Sequence, residues 1–274
     1  MKSAGYDVRE TDPFERMTPI PLFSRERSPY CNRIRLMWFE MRKVVIKVFP
    51  KPSTINFLDK ATFLKNMDEI YVTDAYHSLS IEKYKVTPEL IERVKSGKWN
   101  LVDNEEDKKH RDAMAARGYW LAFNSVKDSI EKIMDGGDLG KILLEEHSDW
   151  FRELFSPSVT SGILKPSDLA GYRRHQVYIG QSQHVPVNMD ALRDVMPILF
   201  ELISEEPEAS VRAVLGHFFF VYIHPYMDGN GRMGRFLMNA ILASGGYKWM
   251  VIPVQKRDDY MNSLEMASVQ QNIE

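Results

Sequence analysis

The spacing of apolar residues along the chain predicts a protein built mainly of helices. Apolar side chains recur at every third or fourth position over long stretches, which is the period of one face of an α-helix. Thr87, Pro88 and Glu89 predict a further helix start, because they place an N-cap, a first-turn proline and an acid in order. The longer predicted helices cover residues 33–49, 56–82, 112–134, 145–155, 190–205, 209–223 and 232–244.

Two stretches break the helical pattern. Residues 1–30 carry four prolines among charged side chains, so we expect an irregular arm there. Residues 176–187 contain a β-branched and aromatic run followed by Gly180, a pattern that favours a short β-hairpin over a helix. The predicted fold class is therefore all-α, a helical bundle with one small β-hairpin.

Composition narrows the class of protein further. The apolar content of 44% and charged content of 27% are ordinary for a globular protein. The net charge of −2 offers no basic field for nucleic acid or anionic lipid. The N-terminus lacks the apolar stretch of a secretory signal, and the most apolar run, residues 214–223, is about half a membrane span. With a single cysteine, Cys31, these features favour a cytoplasmic protein that binds neither nucleic acid nor membrane.

The candidate chemistry lies in residues 224–235, between two predicted apolar helices. The start of the second helix presents unpaired backbone N–H groups and the positive end of the helix dipole. Gly229 and Gly231 let the backbone approach a ligand closely, because they carry no Cβ. The segment therefore predicts a turn that binds phosphate oxygens.

Charged and titratable side chains in the same segment extend this prediction. Arg232 and Arg235 are three residues apart, so we expect both guanidiniums on one helical face, holding a chain of phosphates. Asp228 is a hard oxygen ligand suited to a Mg²⁺ that bridges phosphate oxygens. His224 titrates near neutrality and can accept a proton from an incoming hydroxyl. Together these groups predict a centre for phosphate transfer.

The pattern His-x-x-x-Asp-Gly-Asn-Gly-Arg-x-x-Arg resembles the signature of the Fic family, whose members usually transfer AMP from ATP to proteins. The likeness extends over most of residues 56–274 and implies a Fic-type bundle with the hairpin as a flap. It implies that His224 is the base and that Asp228 holds Mg²⁺. Glycine at position 231 favours AMP transfer, because the family's kinase-like members carry lysine there. The implied anion hole and outer-phosphate ligands are Gly229, Asn230, Gly231, Arg232 and Arg235.

The same resemblance assigns roles outside this segment. The edge of the flap would pair with the backbone of the target protein, so that the target's side chain faces His224. Residues 257–264 are similar to the family's adenine-side helix, so Tyr260 is expected to border the base, although plain packing explains it equally well. The residues expected to form the docking edge are Gln176, Val177, Tyr178 and Ile179.

Ser78 and Glu82 resemble an inhibitory motif that the family carries upstream of its catalytic segment. The two residues are four apart, so they share one face of a helix near residues 71–83. By this resemblance Glu82 pairs with Arg235 and keeps the outer phosphate from binding productively. Lys83 stands where the family has Gly or Asn, which predicts either leakier inhibition or a helix that continues past Glu82.

The sequence thus predicts an autoinhibited protein adenylyltransferase that uses ATP and Mg²⁺ and modifies a Ser, Thr or Tyr hydroxyl. Three alternatives stay open: removal of AMP, transfer from another nucleotide, and a non-catalytic module that senses nucleotide. Self-modification and a homo-oligomer also stay open. The predicted divisions are an N-terminal extension at 1–55, a helical region with the inhibitory helix at 56–165, and the catalytic core at 166–274.

Overall fold

The computed structural model describes residues 28–50, 59–98 and 111–274, and within these ranges the chain forms nine α-helices and no β-strand. The predicted arm lies outside the described residues up to residue 27, as do Lys51 and Pro52 of the predicted helix stop. The helices are α1 (Pro29–Val48), α2 (Lys60–Ile81), α3 (Pro88–Lys95), α4 (Arg111–Met134), α5 (Leu139–Thr160), α6 (Leu192–Glu205), α7 (Ala209–Ile223), α8 (Asn230–Ser244) and α9 (Arg257–Gln270).

Two helices begin four or more residues earlier than the apolar pattern predicts, because capping residues precede that pattern. The Ser28 hydroxyl accepts the N–H of Tyr30, and Pro29 occupies the first turn of α1. The Asp138 carboxylate accepts the N–H of Lys141 at 2.7 Å and starts α5 at Leu139. Both starts therefore follow local capping chemistry and not the first apolar residue.

Helix α8 lies at the centre of the bundle. It packs against α7 along its length and also contacts α2, α4 and α5, so nearly all its side chains are buried. Tyr119 of α4 lies against Phe236 of α8 with ring centroids 4.7 Å apart. Helix α8 is thereby fixed relative to four other helices. None of the described helices has both the length and the apolarity needed to cross a membrane.

The segment predicted as a β-hairpin forms an extended loop without strand pairing within the described chain. We name residues 174–187 the flap loop. The Ser182 N–H donates to the Ile179 carbonyl at 3.1 Å and makes a tight turn at its tip. The Gln176 side chain donates to the Pro186 carbonyl at 3.0 Å, so a side-chain bond joins the two arms where ladder bonds were expected.

Candidate active site

The turn between α7 and α8 is held in shape by its own side chains. His224 ends α7 in the left-handed conformation, with φ of 57°. The Asn230 side-chain amide accepts the N–H of Tyr226 and donates to its carbonyl, each at 2.9 Å. Gly229 has φ of 81°, and a Cβ there would lie 2.8 Å from the Phe155 ring. We name residues 224–229 the His224 turn; its backbone leaves little freedom for other conformations.

A cleft of 530 Å³ lies beside this turn. Its walls come from the end of α2, the flap loop, the facing ends of α7 and α8, and one face of α9. The cleft brings together groups that are far apart in the sequence. The predicted site residues that line it are Glu82, Ile179, His224, Gly231, Arg235 and Tyr260.

His224 is placed to act as a neutral base. Its Nδ1 lies 3.2 Å from the Val221 carbonyl, so a proton on Nδ1 donates there and leaves the lone pair of Nε2 free. Burial, together with the nearby Arg173 charge, lowers the pKa of His224 to about 4. The imidazole is therefore uncharged at neutral pH.

Arg235 is almost wholly buried, and three of its hydrogen bonds go to α2. Its Nε donates to the Ser78 hydroxyl at 2.8 Å, while Nη2 donates to the Ser78 carbonyl at 2.9 Å and to Glu82 Oε1 at 2.8 Å. Burial opposes its charge, but attraction to Glu82, together with Tyr260 and Tyr119, raises the pKa of Arg235 above its ordinary value. The pairing expected between Glu82 and Arg235 is thus present.

The Glu82 carboxylate lies against the first turn of α8. A Cβ at position 231 would meet Glu82 Oε1, so any residue other than glycine there would require the carboxylate to shift. The N–H groups of that first turn have no partners within the helix, and the positive end of its dipole favours an anion. Glu82 therefore supplies negative charge where a phosphate would otherwise be favoured.

The end of α2 holds Glu82 in this position. Glu82 is the C-cap, and Lys83 adopts φ of 66° while its N–H donates to the Ser80 carbonyl at 2.9 Å. The Tyr84 N–H donates to the Leu79 carbonyl at 3.1 Å, which completes a Schellman motif. The helix therefore stops at Ile81, and the alternative of a helix continuing past Glu82 is wrong.

Arg232 does not line the cleft, although the sequence placed it with Arg235. Its guanidinium carbon lies 5.0 Å from the ring centroids of both Tyr84 and Phe155, and its side chain is 1% exposed. Three residues fall short of a full helical turn by about 60°, so the two side chains point apart. Two aromatic faces then retain the Arg232 cation away from the cleft.

The acidic and anion-hole positions of the turn are also arranged differently from the expectation. Asp228 is 61% exposed and accepts the Gly229 N–H at 2.6 Å through Oδ1, outside the residues that line the cleft. The Asn230 side chain is occupied by Tyr226. Of the three residues expected to form the anion hole, only Gly231 lines the cleft.

Comparisons with known proteins agree with this geometry. A model of the Fic/DOC family matches residues 139–242, which contain α5, α6, α7 and most of α8. These residues form a Fic domain. Protein adenylyltransferase Fic of Drosophila virilis is 29% identical over 204 residues, covering 73% of this chain and 38% of the relative. The same-named protein of Drosophila melanogaster is 28% identical over the same length, so the chain spans well under half of these curated relatives.

Solved structures show the same fold. C. elegans Fic-1 (aa134–508) superposes with a TM-score of 0.57 at 18% identity, covering 88% of this chain and 66% of that one. A Fic family protein from Desulfovibrio desulfuricans G20 gives a TM-score of 0.55 at 20% identity, covering 93% and 70%. The helical arrangement is therefore the Fic fold.

The cleft also contains residues that the sequence analysis missed. Arg257 lines it and donates through Nε to the Ile81 carbonyl at 2.8 Å, which fastens the end of α2 to α9. Glu265 accepts the Gln183 N–H at 2.7 Å and the Ser182 hydroxyl, which fastens the tip of the flap loop to α9. A signal was available, because these residues share one face of α9 with Met261, Leu264 and Ser268, at helical spacing.

Tyr260 of α9 stands between two cavities. Its hydroxyl lies 2.9 Å from His217 Nε2, and it lines both the cleft and an adjoining apolar cavity of 290 Å³. Burial raises the pKa of Tyr260 and lowers that of His217 to about 3, so both groups are neutral at pH 7. Tyr260 therefore presents an uncharged polar group on the α9 side of the cleft, and His217 of α7 lies behind it.

Proposed function

We propose that this protein is an adenylyltransferase that transfers AMP from ATP to a Ser, Thr or Tyr hydroxyl of a target protein. The observation that carries the proposal is the common cleft of His224, Gly231 and Arg235, across which Glu82 is bonded to Arg235. A neutral base, a helix N-terminus and a buried arginine are the groups that a nucleotidyl transfer requires. The names of the relatives, protein adenylyltransferase Fic, support the same activity.

In the proposed reaction the target hydroxyl oxygen attacks the α-phosphorus of ATP. The hydroxyl proton passes to Nε2 of His224, a P–O bond forms, and the bond to the departing pyrophosphate breaks. Negative charge on a bound triphosphate would raise the pKa of His224 from its value of about 4 and strengthen it as a base. The first turn of α8 at Gly231 would receive the α-phosphate oxygens.

The outer phosphates are proposed to bind Arg235, with Arg257 as the second guanidinium that faces the cleft. Arg235 Nη1 is buried and has no hydrogen-bond partner among the described residues, so it could donate to a phosphate oxygen. Tyr260 remains the proposed contact on the nucleotide side of α9. For Arg232 we propose a structural role, because the rings of Tyr84 and Phe155, together with Asp228, keep its guanidinium outside the cleft.

Asp228 is the proposed protein ligand of Mg²⁺. Within the described part of the chain, no three His, Cys, Asp or Glu side chains cluster as a metal site. A single carboxylate nevertheless fits Mg²⁺, which commonly takes one or two protein carboxylates and completes its shell with phosphates and water. The exposed Asp228 Oδ2, 3.6 Å from Arg232, has room for this contact. The ion would neutralise charge on the triphosphate.

Glu82 is proposed to inhibit the reaction by occupying Arg235. Its carboxylate takes one guanidinium donor and lies against Gly231, so an outer phosphate would meet a negative charge at the same place. ATP could then bind with its α-phosphate out of line for attack. Release requires Glu82 to leave, while Ser78 can keep its two bonds to Arg235.

The flap loop is the proposed docking edge for the target. Among the described residues, the backbone N–H groups of Gln176, Val177, Tyr178 and Ile179 have no hydrogen-bond partner. Tyr178 is 77% exposed, whereas Ile179 turns into the cleft. An extended segment of a target can pair with these free groups by β-augmentation and bring a hydroxyl towards His224.

Removal of AMP from a modified target is a second candidate, favoured by one feature of Glu82. Its Oε2 has no hydrogen bond with the described residues, so it could orient a water molecule in the cleft. Assay of AMP release from a modified target separates this activity from transfer. We further propose a cytoplasmic location, supported by the single cysteine.

Intact-mass spectrometry of Glu82→Gly protein incubated with ATP and Mg²⁺ tests the reaction class. We expect the gain of one or more adenylyl groups, with none in the Glu82→Gly/His224→Ala control. A phosphate-sized gain would indicate a kinase-like reaction instead. Absence of any adduct on the protein or on added candidate targets would contradict the proposal.

A further inference from the structure

Arg173 makes an unusual set of contacts just before the flap loop. It is buried, and its guanidinium donates through Nε to the His224 carbonyl at 2.8 Å and through Nη1 to the His175 carbonyl at 3.0 Å. Nη2 donates to the Val187 carbonyl. Its backbone N–H donates to the Pro225 carbonyl at 2.9 Å. One residue therefore contacts both ends of the flap loop and two consecutive carbonyls of the His224 turn.

All these acceptors are backbone carbonyls. No carboxylate of the described chain forms an ion pair with Arg173, and burial lowers its pKa. A buried cation without a counter-ion is costly, and it is retained only where its donors are satisfied by well-placed acceptors. The planar fork of arginine suits this task, because it reaches three carbonyls in fixed directions.

The positions of the acceptors connect this cluster to the proposed chemistry. The His224 carbonyl belongs to the residue whose left-handed backbone aims the imidazole into the cleft. The His175 and Val187 carbonyls mark the start and the end of the loop that we expect to carry the target. Arg173 itself does not line the cleft, so it touches neither substrate.

We propose that Arg173 is a positioning residue that sets the flap loop and the His224 turn at a fixed separation, so that a docked hydroxyl meets the base. This inference rests on the proposed function for its catalytic consequence. The coupling of the two segments by one guanidinium is a property of the fold alone. Lysine cannot replace it, because a single ammonium cannot span carbonyls on three sides.

Hydrogen–deuterium exchange of Arg173→Lys tests the coupling without any activity assay. We expect the hydrogen-bonded amides of both segments to exchange faster, by about tenfold or more, with α4 and α7 unchanged. These amides are Ser182, Gln183 and His184 in the flap loop and Tyr226 and Gly229 in the His224 turn. Arg174→Lys is the matched control, because Arg174 is the exposed neighbour, and we expect no change there. Uniform acceleration in every helix, loss of cooperative folding, or no change in either segment would overturn the proposal.

The rate of AMP transfer by Arg173→Lys, measured in the Glu82→Gly background, tests the catalytic consequence of this positioning. We expect kcat to fall by about 100-fold while the KM for ATP stays within about twofold, because a displaced base costs rate and not nucleotide affinity. Equal kcat in a folded variant, or a matching loss of ATP affinity, would contradict the positioning role. If Glu82→Gly itself transfers nothing, the proposed function fails, and the exchange experiment still decides the role of Arg173.

Discussion

The two walls of the cleft face each other across His224 and are held by different kinds of contact. The helical wall, formed by the end of α2 and the start of α8, is fixed by buried side chains: Arg235 alone makes three bonds to α2. The loop wall, which is the flap loop, is held at its base by Arg173 and at its tip by Glu265. Between these points several backbone N–H groups of the loop are free of partners in the described chain.

This difference separates two tasks within one site. Groups that must hold charge in a fixed geometry lie on the helical wall, where burial and packing leave no alternative position. The loop wall retains unpaired backbone groups, which a stable hairpin would have consumed. A target chain can form hydrogen bonds with those groups because the loop does not bond them internally.

Loss of the base between the two walls should have the largest effect. In the Glu82→Gly background, His224→Ala should lower transfer by about 100- to 10,000-fold, the usual contribution of a general base. Calorimetry should show ATP binding retained, because the imidazole contacts no phosphate in the proposed reaction. The exposed His175→Ala is the control and should keep its rate. Unchanged transfer in His224→Ala would remove the assignment of the base.

Release of the loop wall at its tip should have a smaller effect. Glu265→Ala removes the acceptor of the Gln183 N–H and the Ser182 hydroxyl. A charged hydrogen bond of this kind corresponds to about a tenfold change, so we expect the KM for the target protein to rise by about tenfold with kcat nearly unchanged. Asp259→Ala, an exposed acid on the same helix, is the control. An unchanged KM in Glu265→Ala would show that the loop needs no anchor at α9.

Relief of backbone strain beside the helical wall should have the smallest effect. Lys83 adopts the left-handed conformation at φ of 66°, which costs a side-chain-bearing residue about 1 kcal/mol relative to glycine. Lys83→Gly should therefore raise the free energy of unfolding by about 1 kcal/mol in urea titrations. Lys85→Gly, where φ is not positive, should not stabilise the protein. A destabilised Lys83→Gly would contradict the account of how α2 ends.

The sequence predicted the central helices well because their signals are local. The apolar run of α7 and the paired glycines after α8 place those helices within a residue or two of their observed bounds. Thr87 and Pro88 start α3 as the capping pattern predicts. Ser28 and Pro29 carried the same kind of signal for α1, but the other prolines of the arm obscured it.

Contacts between distant segments were harder to predict. Arg232 leaves the cleft because Tyr84 and Phe155 surround it, and neither ring is near it in sequence. The predicted hairpin lacks a ladder of backbone hydrogen bonds. Side chains of Arg173, Gln176 and Glu265 bond instead to some of the loop's carbonyl and N–H groups. Glu82 and Arg235 could be paired only through the family resemblance, since 153 positions separate them.

Self-labelling with ATP radioactive at the α-phosphate tests most directly whether Glu82 holds the cleft inactive. Removal of one charged contact to Arg235 should raise the labelling rate of Glu82→Gly by about 10- to 100-fold over the unmodified protein. Lys83→Gly is the matched control, because it introduces a glycine one residue away and keeps the Glu82 carboxylate. Its labelling rate should stay low. Equal labelling of Glu82→Gly and the unmodified protein would contradict the account.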